Sequence, residues 1–143
     1  MVELLRQLFE IEDDFESDEA KQRSGLLLLL AQKDSCIFVA EQKGLIVGMC
    51  TMQTVISTAE GRAAGLLEDL VVDDKHRGQG IGKLLVEAVC QWAKDRNIER
   101  IQLLADKYNL AALNFYQNTG WIKTNLICLR QYIGKGDHGF DGT

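Results

Sequence analysis

The chain has 143 residues, 46% of them hydrophobic, which suits one domain of ordinary size with a real core. A formal net charge of −5 and a pI near 5.0 exclude the basic face that a nucleic-acid partner needs. The leucine run from Leu26 to Leu30 is too short to cross a bilayer.

Helical spacing at Val2, Leu5, Leu8 and Phe9 predicts a first helix over Val2 to Phe9. It carries Glu3 and does not read as a signal peptide. An acidic stretch follows, with seven Asp or Glu among the ten residues from Glu10 to Glu19. It reads either as a solvated loop between helices or as a negative rim for a cationic substrate. Asp18 to Gln32 predicts a second helix, weakened by Gly25. Strands are expected over Cys36 to Glu41, Leu45 to Ser57 and Leu66 to Val72, with turns at Lys43-Gly44 and Gly61.

A glycine-rich loop then opens a helix from Gly80 to Arg96, with its apolar face at Ile81, Leu84, Leu85, Ala88, Val89 and Trp92. Asn97 suits the helix end. Arg100 to Ala105 predicts a strand, Leu110 to Asn118 a helix stopped at Gly120, and Ile122 to Ile133 a last strand region. The order implies an α/β fold: one domain over 1–133, with a mixed sheet flanked by helices. The glycine-rich tail from Gly134 to Thr143 is expected to be disordered. Cys36, Cys50, Cys90 and Cys128 form no C-x-x-C pair, so no zinc site is expected. They read as buried free thiols of a reducing cytoplasm, which is the expected location.

The loop is the most informative stretch. Gly78, Gly80 and Gly82 carry no Cβ, so a ligand can approach their backbone closely. The N–H groups from Gly78 to Lys83 point out of a helix start, where the dipole favours an anion. Lys75, His76 and Arg77 add positive charge beside them. Neither the P-loop nor the dinucleotide fingerprint fits these spacings. Glycines alone also fit a simple turn that starts a helix.

The segment Arg77-Gly78-Gln79-Gly80-Ile81-Gly82 resembles the R/Q-x-x-G-x-G/A signature of the GNAT N-acetyltransferases. A second segment, Asn109 to Tyr116 followed by Gly120-Trp121, resembles that family's N-x-x-A-x-x-F-Y-x-x-x-G-F pattern, with Trp121 where Phe is usual. The resemblance covers roughly Cys36 to Tyr132. The strand that the family usually has before its first helix has no counterpart at the start of this sequence.

The resemblance implies a GNAT-like, mostly antiparallel sheet whose central strands splay, and acetyl-coenzyme A as cosubstrate, with no metal. It implies that Arg77, Gly78, Gln79, Gly80, Ile81, Gly82 and Lys83 hold the pyrophosphate. The pantetheine arm would lie between the strand Leu66 to Val72 and the strand Arg100 to Ala105. There it would meet backbone groups of Leu70, Val71 and Val72, with Asn109, Ala112 and Phe115 on the other side.

Two side chains are candidates for proton transfer. Tyr116 would protonate the departing thiolate; otherwise it is a packed tyrosine with a satisfied hydroxyl. Glu68 would take the proton of the acceptor amine; otherwise it is half of a salt bridge to Arg62 or Arg100. Simple alternation places Leu66, Glu68, Leu70 and Val72 on one sheet face and Asp69 on the other. Leu67-Glu68-Asp69 also resembles the Leu-Glu-Asp of diamine acetyltransferases. Trp92 reads as core, and His76 and His138 as exposed.

The expected activity is acetyl transfer to a primary amine of a small, cationic acceptor by direct attack in a ternary complex. The rival expectation is a coenzyme A-binding sensor without catalysis. A transferase acting on a protein amine is a third. Neither nucleic acid nor membrane is an expected partner. A homodimer is expected if the last strand region pairs or swaps with a second copy.

Overall fold

A computed structural model describes residues 1–12 and 14–134. Helices α1 (Val2–Ile11) and α2 (Glu19–Ala31) lead into strands β1 (Ser35–Gln42), β2 (Leu45–Ser57) and β3 (Arg62–Val72). A single 3-10 turn (Asp74–His76), helix α3 (Ile81–Lys94), strand β4 (Ile101–Leu103) and helix α4 (Leu110–Asn118) complete the order. The sheet runs β1-β2-β3-β4. The first two pairings are antiparallel and the third is parallel.

Each sheet face has its own core. Leu4, Leu5 and Leu26 of the first two helices pack on Met49 and Val71. On the other face, Ile81, Leu85, Val89 and Ala93 of α3 pack on Val47, Cys50, Met52 and Leu67. The buried stripe of α3 follows every fourth residue, so Leu84 falls outside it and is exposed, while Val86 is buried. Gly48 lets α3 sit this close: a Cβ there would stand 3.1 Å from Ile81 and from Leu85. Trp92 packs against this second core, as expected, with the Arg96 guanidinium 3.9 Å above its ring.

Three expectations need correction. Ile122 to Ile133 forms no strand, and its apolar side chains Ile122, Leu126, Ile127 and Leu129 are exposed. The edge strand β4 pairs over three residues only and offers little to extend. The homodimer expectation rested on that strand. Second, only Cys50 is buried; Cys36 is half-buried, while Cys90 and Cys128 are exposed. Third, strict alternation fails in β3. Thr51 faces Asp69 but Met52 faces Leu67, so Glu68 is an extra residue in a β-bulge. The bulge puts Leu67 on the α3 face with Leu70 and Val72. The expected tail falls on residues 135–143, outside the described residues.

No described helix is long and apolar enough to cross a membrane.

Candidate active site

The bulge at Glu68 coincides with the end of β3–β4 pairing. Gly65 N–H donates to Arg100 O at 2.8 Å, and the parallel register ends at Leu67 and Leu103. From Glu68 to Val72, β3 has no partner on that side among the described residues. The two strands therefore part there, as the resemblance implies.

Backbone direction decides what the gap sees. Asp73 N–H donates to Val47 O at 2.8 Å. In an antiparallel ladder, residues two apart point the same way. Val71 therefore turns its backbone groups inward to β2, while Leu70 and Val72 turn theirs to the gap. This corrects the expectation for Val71. The Val72 carbonyl is already taken: Arg77 Nε donates to it at 3.1 Å.

Arg77 also pairs with Asp74 at 2.6 Å. Both contacts brace the end of β3, and the guanidinium stays half exposed beside the loop. Asp73 braces the same turn. It accepts from Gln7 Nε2 at 3.0 Å and lies 2.6 Å from His76 Nδ1. These bonds hold its carboxyl below the usual range and tie α1 to the loop. His76 is half-buried, against the exposure expected of it, and His138 lies outside the described residues.

The loop then opens. Gly78 and Gly80 adopt φ of 74° and 81°, a region that other residues enter only with strain. A Cβ at either would meet open space, so the constraint there is conformational. Gly80 caps α3 without a side-chain hydrogen bond, which leaves the first N–H groups of the helix for a ligand. Gln79 is exposed, Ile81 is buried, and Lys83 stands 4.0 Å from Glu87. A Cβ on Gly82 would touch the Phe115 ring at 3.4 Å, so α3 and α4 approach closely here.

Helix α4 brings the remaining candidates. Asn109 caps it, its Oδ1 accepting from Ala112 N–H at 3.1 Å. The Asn109 amide NH2 is left for another partner. Tyr116 is held edge-on by Phe115 and Trp121, with ring centroids at 5.3 and 5.7 Å.

A small cleft of about 70 Å³ draws Glu12, Glu68, Leu70, Asp106, Asn109 and Tyr116 together. Sequence reasoning placed Tyr116 and Glu68 in the site on separate grounds, and the fold brings them to one cleft. It did not single out Glu12, one acid among seven in its run.

The electrostatics differ sharply between these groups. Burial pushes the Tyr116 hydroxyl up to about 12, with smaller pushes from Cys50 and Glu12. Burial, then the charge of Asp69, raises Glu68; Arg130 opposes them. Glu12 is raised by burial and by Asp69, Asp106, Asp14 and Glu68. Asp69 is raised by burial and held back by a hydrogen bond from Thr51. The salt-bridge alternative for Glu68 fails, because Arg62 pairs with Glu99 at 2.7 Å and Arg100 with Glu60 at 3.2 Å.

Chemically, the site offers a carboxylate that holds protons more readily than usual, a phenol that stays protonated, and a helix mouth suited to an anion.

Comparison with known proteins matches this geometry. The model of the Acetyltransferase (GNAT) family matches residues 2–121. N-acetyltransferase 8B of Homo sapiens is 36% identical over 95 residues, covering 66% of this chain and 42% of that protein. N-acetyltransferase family 8 member 2 of Rattus norvegicus is 37% identical over 87 residues, covering 61% and 38%. The chain thus spans less than half the length of these curated relatives. An aminoglycoside acetyltransferase from an uncultured soil metagenomic sample, crystallised with trehalose, superposes with a TM-score of 0.76. It is 28% identical, over 94% of this chain and 86% of that one. A transcriptional regulator from Bacillus halodurans C-125 superposes with a TM-score of 0.79 at 26% identity, over 92% and 90%.

Proposed function

The chain belongs to the GNAT acetyltransferase family, and from that premise we propose that it transfers an acetyl group from acetyl-coenzyme A to a primary amine within a ternary complex. The observation that carries this reading is the meeting of Glu68 and Tyr116 in one cleft where β3 and β4 part.

The residues present fit the cosubstrate. The uncapped start of α3, with Gly78 and Gly80 opening onto free space, suits a diphosphate. The N–H groups of Leu70 and Val72 face the gap and suit the pantetheine arm, as does the free amide of Asn109. When bound, acetyl-coenzyme A supplies a thioester carbonyl for attack and a sulfur that leaves.

The chain's own groups manage the protons. An amine is cationic near neutral pH and attacks only after losing a proton. Glu68 takes that proton, and its raised pKa makes it a better base than an ordinary carboxylate. Tyr116 keeps its own proton at neutral pH because burial holds its pKa near 12. Its Oη therefore serves as a donor to the departing sulfur. Glu12 and Asp106 lie in the same cleft and favour a cationic group there.

The test is release of free thiol from acetyl-coenzyme A across a panel of primary amines. Turnover with at least one amine, lost on Tyr116→Phe, supports the reading. A second reading, a coenzyme A-binding module without catalysis, is favoured by the solved relative named a transcriptional regulator. It predicts coenzyme A binding with no thiol release for any amine.

A further inference from the structure

Glu68 borders two clefts. On one side lies the small cleft with Tyr116. On the other lies a cleft of about 340 Å³ between α1, α2 and the sheet. Its wall is mostly apolar, built from Leu5, Phe9, Leu26 and Leu29, with Asp69 beside Glu68.

One polar group in that wall lacks a partner. Gln22 is only 8% exposed. Its Nε2 donates to Ser17 Oγ at 3.4 Å, while its Oε1 has no hydrogen-bond donor among the described residues. A buried amide oxygen left without a donor is costly. The last torsion of a glutamine is soft, and the 3.4 Å bond to Ser17 holds it weakly, so a small turn presents Oε1 to the cleft.

We propose that this larger cleft is the acceptor subsite and that its occupant is an amphipathic primary amine. The amine lies at Glu68 and Asp69, an apolar chain follows the leucines and Phe9, and a hydrogen-bond donor on that chain meets Gln22 Oε1. The inference rests on the acetyl-transfer reading above and narrows its substrate class.

Three acids of the run are already paired on their own helices: Glu10 with Arg6, Asp18 with Lys21 and Glu19 with Arg23.

The test is calorimetric binding of linear amino alcohols of graded length, each compared with its O-methyl ether and with the diamine of the same length. Wild type and Gln22→Leu are titrated alike, with coenzyme A binding as the folding control. At the best length, wild type binds the amino alcohol about tenfold tighter than the ether, and Gln22→Leu erases that difference. Equal binding of alcohol and ether to wild type overturns the inference. So does tightest binding of the diamine, a preference kept in Gln22→Leu, or no binding of any probe. The acetyl-transfer reading fails differently: the amino alcohol binds with the stated preference but is never acetylated, and the subsite stands without the reaction.

Discussion

The Thr51 hydroxyl donates to Asp69 Oδ2 at 2.6 Å, and Asp69 N–H returns a bond to Thr51 Oγ1 at 3.2 Å. Thr51 itself is fully buried. The pair adjoins the bulge and fixes the backbone next to Glu68. It is thus a structural clamp beside the proposed base.

Thr51→Val keeps the volume and removes the donor. The Asp69 carboxylate is then left with less support in a buried site, at a cost of about 1–3 kcal/mol near neutral pH. Burial already raises Asp69 above its unfolded value, so its ionisation in the folded state opposes stability. That opposition is absent below the unfolded pKa and complete above the folded one. The variant lacks the bond that favours the charged form, so its deficit grows as pH rises through that window. Denaturant melts of both proteins across pH check this; a deficit that is constant with pH would count against the clamp.

Tyr116→Phe keeps both edge-on ring contacts and removes one proton. Turnover should fall on the order of 10²-fold, the lower range for a lost general acid. Coenzyme A affinity and Tm should stay nearly unchanged. Because the phenol titrates near 12, wild-type turnover should show no alkaline loss from this group below about pH 10. Steady-state rates paired with thermal melts separate this from a packing role, which would lower Tm.

Glu68→Gln should lower kcat/KM and flatten its acid limb. Only the ionised carboxylate takes a proton, so wild-type activity rises with pH through the raised pKa of Glu68. The variant has no such step. An unchanged acid limb in Glu68→Gln would assign the step to another group, such as Glu12 or Asp106 of the same cleft.

Asn109 caps α4 and is proposed to contact acetyl-coenzyme A as well. Asn109→Ala removes the cap of α4 and should cost about 1 kcal/mol, together with a higher KM for acetyl-coenzyme A. Asn109→Ser restores a capping oxygen but not the amide NH2. It should recover stability and keep the raised KM. If KM recovers along with Tm, the residue is a cap and nothing more.

Much of this site was legible from one sequence because glycines and aromatics at fixed spacing leave few alternatives. The helix mouth at Gly80 and the aromatic position of Tyr116 are local features, and each follows from its own few neighbours. The bulge at Glu68 is different. It depends on how β2 pairs with β3, and no residue type at Glu68 announces an extra position. Alternation therefore grouped Leu66, rather than Leu67, with Leu70 and Val72. The bracing by Arg77 was hidden for a similar reason, since Val72 O becomes reachable only after the chain turns. Ile122 to Ile133 alternates well enough to look like a strand, yet strands need a partner edge, and β4 is three residues long. Glu12 could not be told from its acidic neighbours until α1 laid it over β3.

The most direct measurement is a calorimetric titration of the protein with coenzyme A, repeated on Gly80→Val. The account predicts one bound equivalent per chain in wild type. It predicts much weaker uptake in the variant, whose β-branched side chain opposes the φ of 81° at the mouth of α3. No uptake by wild type, or equal uptake by the variant, would contradict it.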